Sequence, residues 1–129
     1  MRILLDTHLL IWAVVEPDRL DTKTADDLED AGNEILFSAA SIWEIAIKYR
    51  LSRPGFAHEP IQIARTAQQT GFIELPVHAA AAAIVATLPP LHRDPFDRLL
   101  IAQAMAEPAI FYTADANLSA YSDLVRRVG

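Results

Sequence analysis

The sequence predicts an α/β domain: a central, mostly parallel sheet of four to five strands with helices on both faces. Three observations carry that expectation. Short apolar runs, Ile3-Leu4-Leu5, Ile35-Leu36-Phe37 and Ile110-Phe111-Tyr112, have the length of buried strands. Between them lie longer segments whose apolar residues recur at helical spacing. The boundaries carry proline, glycine or a capping acid. Strands that alternate with helices in this way pair in parallel, because each crossover must return the chain to the same end of the sheet.

The elements follow in order. Arg2–Leu5 is a short buried strand, and Thr7–Val15 is a helix that ends before Glu16-Pro17. Thr22–Ala31 is a polar helix with one apolar stripe, stopped by Gly32. Glu34–Phe37 is the second strand. Ser38–Leu51 is an amphipathic helix, with Ile42, Ile45, Ala46 and Tyr49 at helical spacing. Ser52–Glu59 is a loop around Pro54-Gly55. Pro60–Thr70 is a helix with proline at its start and Gly71 after its end. Phe72–Leu75 is the third strand, stopped by Pro76. Val77–Thr87 is an alanine-rich helix expected to pack closely against the sheet, and Pro89-Pro90 breaks the chain. Pro95–Ala106 is the next helix, Ala109–Thr113 the fourth strand, Ala116–Tyr121 a short helical turn and Leu124–Val128 an edge strand. No repeat, low-complexity segment or linker divides the chain, so residues 1–129 read as one domain.

Composition narrows the class. At 52 % apolar residues the chain can bury a core, which excludes a disordered tail protein. The absence of cysteine excludes disulfides, zinc–thiolate sites and thiol catalysis; a reducing cytoplasm is the simplest location. The N-terminus reaches Asp6 too early for the apolar region of a signal peptide. The longest apolar candidate, Ala79–Leu88, is too short to span a bilayer, so no membrane role is expected. The net charge of −6 argues against broad neutralisation of nucleic-acid phosphates, yet it suits a basic partner and does not exclude a nuclease with clustered acids.

Four acids fall where segments meet. Asp6 ends the first strand, Glu44 lies on the helix after the second, Asp97 opens the Pro95–Ala106 helix, and Asp115 follows the fourth strand. In an open α/β sheet the carboxyl ends of the strands line one crevice where ligands bind. Four carboxylates drawn together there repel, and Arg98, adjacent to Asp97 in sequence, is expected to point elsewhere on the helix. A shared Mg²⁺ or Mn²⁺ ion relieves that repulsion and points to phosphate chemistry. Each acid also has a plainer reading. Asp6 and Asp115 are good helix caps. Ser41-Ile42-Trp43-Glu44 matches a capping box, although Ser38 is an equally good cap that leaves Glu44 in the second turn. Asp94, before Pro95, reads as the cap of its helix, so that Asp97 projects from the first turn.

Together these segments resemble a PIN domain, and more narrowly a VapC-type toxin ribonuclease of a toxin–antitoxin pair. The resemblance rests on Leu4-Leu5-Asp6-Thr7-His8, on Ser38-Ala39-Ala40-Ser41-Ile42-Trp43-Glu44-Ile45, on the segment from His92 through Asp94-Pro95-Phe96-Asp97-Arg98 to Ala104, and on Thr113-Ala114-Asp115. It runs nearly end to end. It implies a three-layer α/β/α fold with Asp6, Glu44, Asp97 and Asp115 as the metal-binding catalytic acids. It also implies hydrolysis of RNA phosphodiesters with Mg²⁺ or Mn²⁺, a homodimer, and inhibition by a cognate antitoxin. Asp94 matches a neighbouring acid of the subgroup.

Other polar residues are secondary in this reading. Thr7, His8, Arg93, Arg98 and Asn117 lie close enough in sequence to the acids to support them or touch substrate, with turn geometry favoured for Asn117. His92 reads as a loop histidine, and His58 and His78 as loop and helix-start residues. Lys48, Arg50 and Arg53 form a group beyond the Glu44 helix. RNA-backbone contact is one reading of it; solvated surface is preferred for Lys48 and Arg50. Trp12 and Trp43 read as core or dimer contacts. Three other functions are compatible with parts of the pattern: a housekeeping RNA-processing nuclease on the same scaffold, a receiver-like domain, and a non-catalytic dimer module whose acids only cap helices.

Overall fold

The computed structural model describes residues 1–91 and 93–128; His92, read above as a loop histidine, lies outside them. Five strands form one sheet: β1 (Arg2–Leu5), β2 (Glu34–Ser38), β3 (Ile73–Leu75), β4 (Ile110–Thr113) and β5 (Val125–Arg127). Their spatial order is β3-β2-β1-β4-β5, and every neighbouring pair is parallel. Register brings Leu4 beside both Leu36 and Phe111, so the three apolar runs of the sequence are the three central strands. Buried on both faces, they are apolar without alternation.

Among the described residues six helices complete the layers: α1 (Thr7–Val15), α2 (Thr22–Glu29), α3 (Ala39–Arg50), α4 (Pro60–Thr70), α5 (Ala79–Ile84) and α6 (Pro95–Ala106). The core divides in two. One half gathers Ile3, Leu5, Leu9, Leu10, Phe37 and Ile45; the other gathers Leu4, Leu36, Leu100, Ile101, Phe111 and Leu118. The halves use alternate residues of β1 and β2, as side chains that point to opposite faces of a sheet must. Buried Ser38 and Gln103 cross-link β2 to α6 through a 2.5 Å hydrogen bond between the Ser38 hydroxyl and Gln103 Oε1.

The expected elements are present with small shifts. The second helix stops at Glu29, because Asp30 turns the chain and accepts the Gly32 N–H at 2.8 Å. Gly71 ends α4 at φ 103°, a left-handed position open to glycine at low cost. Proline also starts an unanticipated 3₁₀ turn at Pro17–Arg19. The alanine-rich helix differs most. It begins at Ala79, gives way to a 3₁₀ turn at Val85–Thr87, and packs against α6, not closely against the sheet as expected. Only Ala81 of α5 is buried. Methyl side chains bury too little surface to draw a helix onto the sheet when the longer residues of α6 already cover it.

Candidate active site

Strand order places the site. The chain runs from β1 outward to β3 and then restarts on the other side of β1 with β4. The carboxyl ends of β1 and β4 therefore flank the point where the winding reverses, which is where a parallel sheet opens a crevice. The N-termini of α1, of α6 and of the 3₁₀ segment Ala116–Tyr121 meet this end. Asp6, Asp94 and Asp115 occupy their cap positions, and all three line one cavity of about 420 Å³. Glu44 and Asp97, which sit inside their helices and not at cap positions, line it as well. All four acids singled out in sequence thus share one crevice, with Asp94 beside them.

Asp6 is buried and held by three donors. Leu9 N–H donates to Oδ1 at 2.8 Å; the Thr113 hydroxyl and the Ala114 N–H donate to Oδ2 at 2.6 and 3.1 Å. Burial pushes its carboxyl above the usual aspartate range, opposed first by the Thr113 bond, then by the two amides and by His8. A cation in the crevice would favour the ionised form. Glu44 is equally enclosed. Ser38 caps α3 by accepting the Ala40 N–H, so Glu44 falls in the second turn and turns inward. Its Oε1 accepts from the Thr7 hydroxyl at 2.6 Å, and Thr7 pairs in turn with the Ser41 hydroxyl at 3.0 Å. Thr7 has one proton to give, so Ser41 is the donor within their pair.

Lys48 revises the sequence expectation. Its ammonium donates to Glu44 Oε2 at 2.5 Å and lines the crevice, with the side chain only 28 % exposed. The crevice therefore contains a basic residue that quenches part of its charge, contrary to the sequence reading of Lys48 as solvated surface. The spacing i, i+4 with glutamate first was the available signal. Thr113 and Ser41, named above only within motifs, carry no comparable signal: a hydroxyl in or beside an apolar run gives no sign of which carboxylate it meets.

The remaining candidates separate. Thr7 and His8 line the crevice; His8 is exposed and packs its ring against Trp12 and Phe56. The Asn117 N–H is bound by Asp115 Oδ1 at 2.9 Å, a turn contact. Arg93 is exposed and outside the crevice lining. Arg98 is also outside the crevice lining. Its guanidinium donates to the carbonyls of Pro89, Leu88 and Val85 and to the Tyr121 hydroxyl, because the connection before α6 exposes carbonyls that a planar fork can satisfy together. Trp43 is 61 % exposed, stacked edge-on against Phe96, and so is not a core residue. Trp12 is half-buried under the Arg19 guanidinium.

The donor set is all oxygen, which fits a hard divalent ion. Among the described residues no three acids or imidazoles form a ready cage. Mg²⁺ does not require one, since it keeps several waters and takes one or two carboxylates.

The PIN domain family model matches residues 3–124. Among solved structures, the chain is similar to VapBC2 from Rickettsia felis bound to a DNA fragment from their promoter (TM-score 0.73, 16 % identity, all of both chains covered). It is also similar to FitAcB from Neisseria gonorrhoeae (TM-score 0.58, 22 % identity, 98 % of this chain and 96 % of that one). No curated protein sequence matches.

Proposed function

The chain belongs to the PIN-domain family, whose members are in general nucleases, and on that premise we propose that it is a Mg²⁺- or Mn²⁺-dependent endoribonuclease acting as the toxin of a toxin–antitoxin pair. One observation carries the reading: Asp6, Glu44, Asp97 and Asp115, from four separate segments, line a single crevice at the carboxyl ends of the strands. A set of acids placed only to cap helices accounts for Asp6, Asp94 and Asp115 but not for buried Glu44.

Asp6 and Asp97 are the first choices to hold the ion, with Glu44 and Asp115 binding it directly or through water. A bound ion supplies an acidified water for attack and neutralises charge on the phosphoryl oxygens. The chain's own residues do the positioning. Thr113 and the amides of Leu9 and Ala114 fix both Asp6 oxygens, and Thr7 with Ser41 fixes Glu44. The N-termini of α1 and α6 put favourable partial charge where a phosphate would enter. Lys48 holds one oxygen of Glu44 and offers a cation beside it.

The toxin assignment draws on the resemblance to VapC-type chains and on the likeness to VapBC2. A cognate antitoxin and a second copy of the chain are the protein partners we propose, and exposed Trp43 on Phe96 gives an apolar contact surface next to Glu44. A housekeeping RNA-processing role would use the same chemistry. The deciding experiment expresses the chain with and without the product of the adjacent gene, following growth and RNA fragments, with purified protein assayed on RNA in Mg²⁺, Mn²⁺ and EDTA. Growth arrest relieved by the neighbour, together with metal-dependent fragments, supports the reading. Intact RNA in both metals removes it.

A further inference from the structure

A second cavity adjoins the crevice. It measures about 470 Å³ and is lined by Tyr49, Arg50, Ser52, Arg53, Phe56 and Ala57, at the end of α3 and the turn beyond. A small cluster separates the two spaces. Phe56 is buried, the Lys48 ammonium lies 5.0 Å from its ring centroid, and the His8 ring meets it edge-on at 5.6 Å. Lys48 and His8 line the acidic crevice on the other side of Phe56. The contacts of Phe56 with Lys48 and His8 join the linings of the two spaces.

The second cavity is basic in an acidic chain. Among the described residues Arg2, Arg19, Lys23 and Lys48 pair with carboxylates, whereas Arg50 and Arg53 do not. Position at a helix C-terminus accounts for a basic residue at Arg50. It does not account for Arg53, which is brought back onto the cavity by a turn. Ser52 there adopts φ 54°, a left-handed conformation uncommon outside glycine, while the Arg53 N–H donates to the Lys48 carbonyl at 2.9 Å. Tyr49, partly exposed, adds an aromatic ring to the rim.

We infer that this cavity is a subsite for the RNA strand flanking the scissile phosphodiester, with Arg50 and Arg53 each binding a backbone phosphate and Tyr49 offering its ring to a base. The assignment rests on the ribonuclease reading above. Two unpaired guanidiniums beside an aromatic ring match the chemistry of single-stranded nucleic acid, which needs cations along the backbone and flat surfaces for the bases. The subsite also answers an electrostatic difficulty. A polyanion approaching four carboxylates needs attraction nearby, and these arginines supply it without entering the metal site.

The test measures binding of a short fluorescent single-stranded RNA in EDTA over a salt series, for wild type, for the double variant Arg50→Gln/Arg53→Gln and for Arg50→Lys/Arg53→Lys, alongside cleavage kinetics in Mg²⁺. Loss of two phosphate contacts lowers the slope of log K against log salt by about 1.4, since each contact on a single strand contributes about 0.7. The glutamine pair is expected to show that drop and a KM raised about tenfold, with kcat held; the lysine pair keeps the slope. An unchanged slope and KM overturn the subsite. So does tighter binding of a poly-glutamate peptide than of RNA, which would make the cavity a protein-docking groove. Wild type that binds with the full slope yet cleaves nothing would overturn the nuclease reading and leave the cavity as an RNA-binding site alone.

Discussion

Thr113 Oγ1 donates to Asp6 Oδ2 at 2.6 Å, tying the last residue of β4 to the residue that follows β1 across 107 positions of sequence. The bond lies in the interior, where an acceptor deprived of its donor is costly. Thr113→Val keeps the shape and removes the donor, leaving Oδ2 only the Ala114 N–H. We expect a loss of about 1–3 kcal/mol in denaturant unfolding and weaker Mg²⁺ binding by calorimetry, both restored in Thr113→Ser. Wild-type values for the valine variant would show that the bond is idle.

Asp6→Asn and Asp97→Asn should each abolish metal-dependent RNA cleavage while circular dichroism stays native. Asp94→Asn should retain much of the activity. Asp94 caps α6 by accepting the Phe96 N–H at 2.9 Å, and asparagine caps as well as aspartate. A cleavage assay in which Asp94→Asn is as dead as Asp97→Asn would place Asp94 among the essential acids.

Lys48→Met should matter most in the absence of divalent ions. Glu44 is then left buried with the Thr7 hydroxyl as its donor, and we expect a destabilisation of about 1–3 kcal/mol, below the range for a wholly enclosed pair because Lys48 is partly exposed. Mg²⁺ should raise the melting temperature of this variant more than that of wild type. An equal rise in both would show that ion and ammonium do not compete for Glu44.

Arg98→Lys should unfold more easily by about 1–3 kcal/mol, because one ammonium cannot reach the carbonyls of Val85, Leu88 and Pro89 and the Tyr121 hydroxyl together. RNA affinity and its salt slope should stay at wild-type values. A reduced slope would return Arg98 to the substrate path.

Asp27 and Tyr112 give the fold a two-sided pH response. Asp27 Oδ2 accepts from Lys23 at 2.8 Å and from the Tyr112 hydroxyl at 2.7 Å, and these two bonds, Lys23 first, hold its carboxyl below the usual value of 3.8. Its contribution is present above pH 3.8 and lost as pH falls through the lower folded value. Burial, then the Asp27 bond, pushes the Tyr112 hydroxyl from 10.0 to about 12. The folded state keeps that proton longer than the unfolded chain, so the Tyr112 contribution is whole below pH 10 and lost as pH rises toward 12. Tyr112→Phe should flatten the alkaline limb of a stability–pH curve and Asp27→Asn the acid limb. Limbs that match wild type would refute the assignment.

Strand-end acids were legible because a parallel sheet leaves them little choice of destination. Once Ile3-Leu4-Leu5 and Ile110-Phe111-Tyr112 are neighbouring strands, Asp6 and Asp115 must lie at one end of the sheet. Proline and the capping residues set the helix starts near the acids in the same way, and α4 kept its expected bounds. What stayed hidden depends on side-chain direction. Arg98 and Asp97 are adjacent in sequence, yet one turns to loop carbonyls and the other to the crevice. Lys48 and Arg50 are two residues apart on α3 and line different cavities. The alanine-rich segment gave a helix but not its neighbour, because methyl groups specify no face strongly.

The sheet order has a consequence for how the molecule is made. β1 precedes the other four strands in sequence but sits in the middle of the sheet, and its second neighbour, β4, follows only after β2 and β3. A nascent polypeptide can pair β1 with β2 early; it cannot supply Thr113, Ala114 or Asp115 until β4 has been made. A chain made only through β3 therefore holds Asp6 and Glu44 without the wall that Thr113, Ala114 and Asp115 supply, so the crevice is completed last.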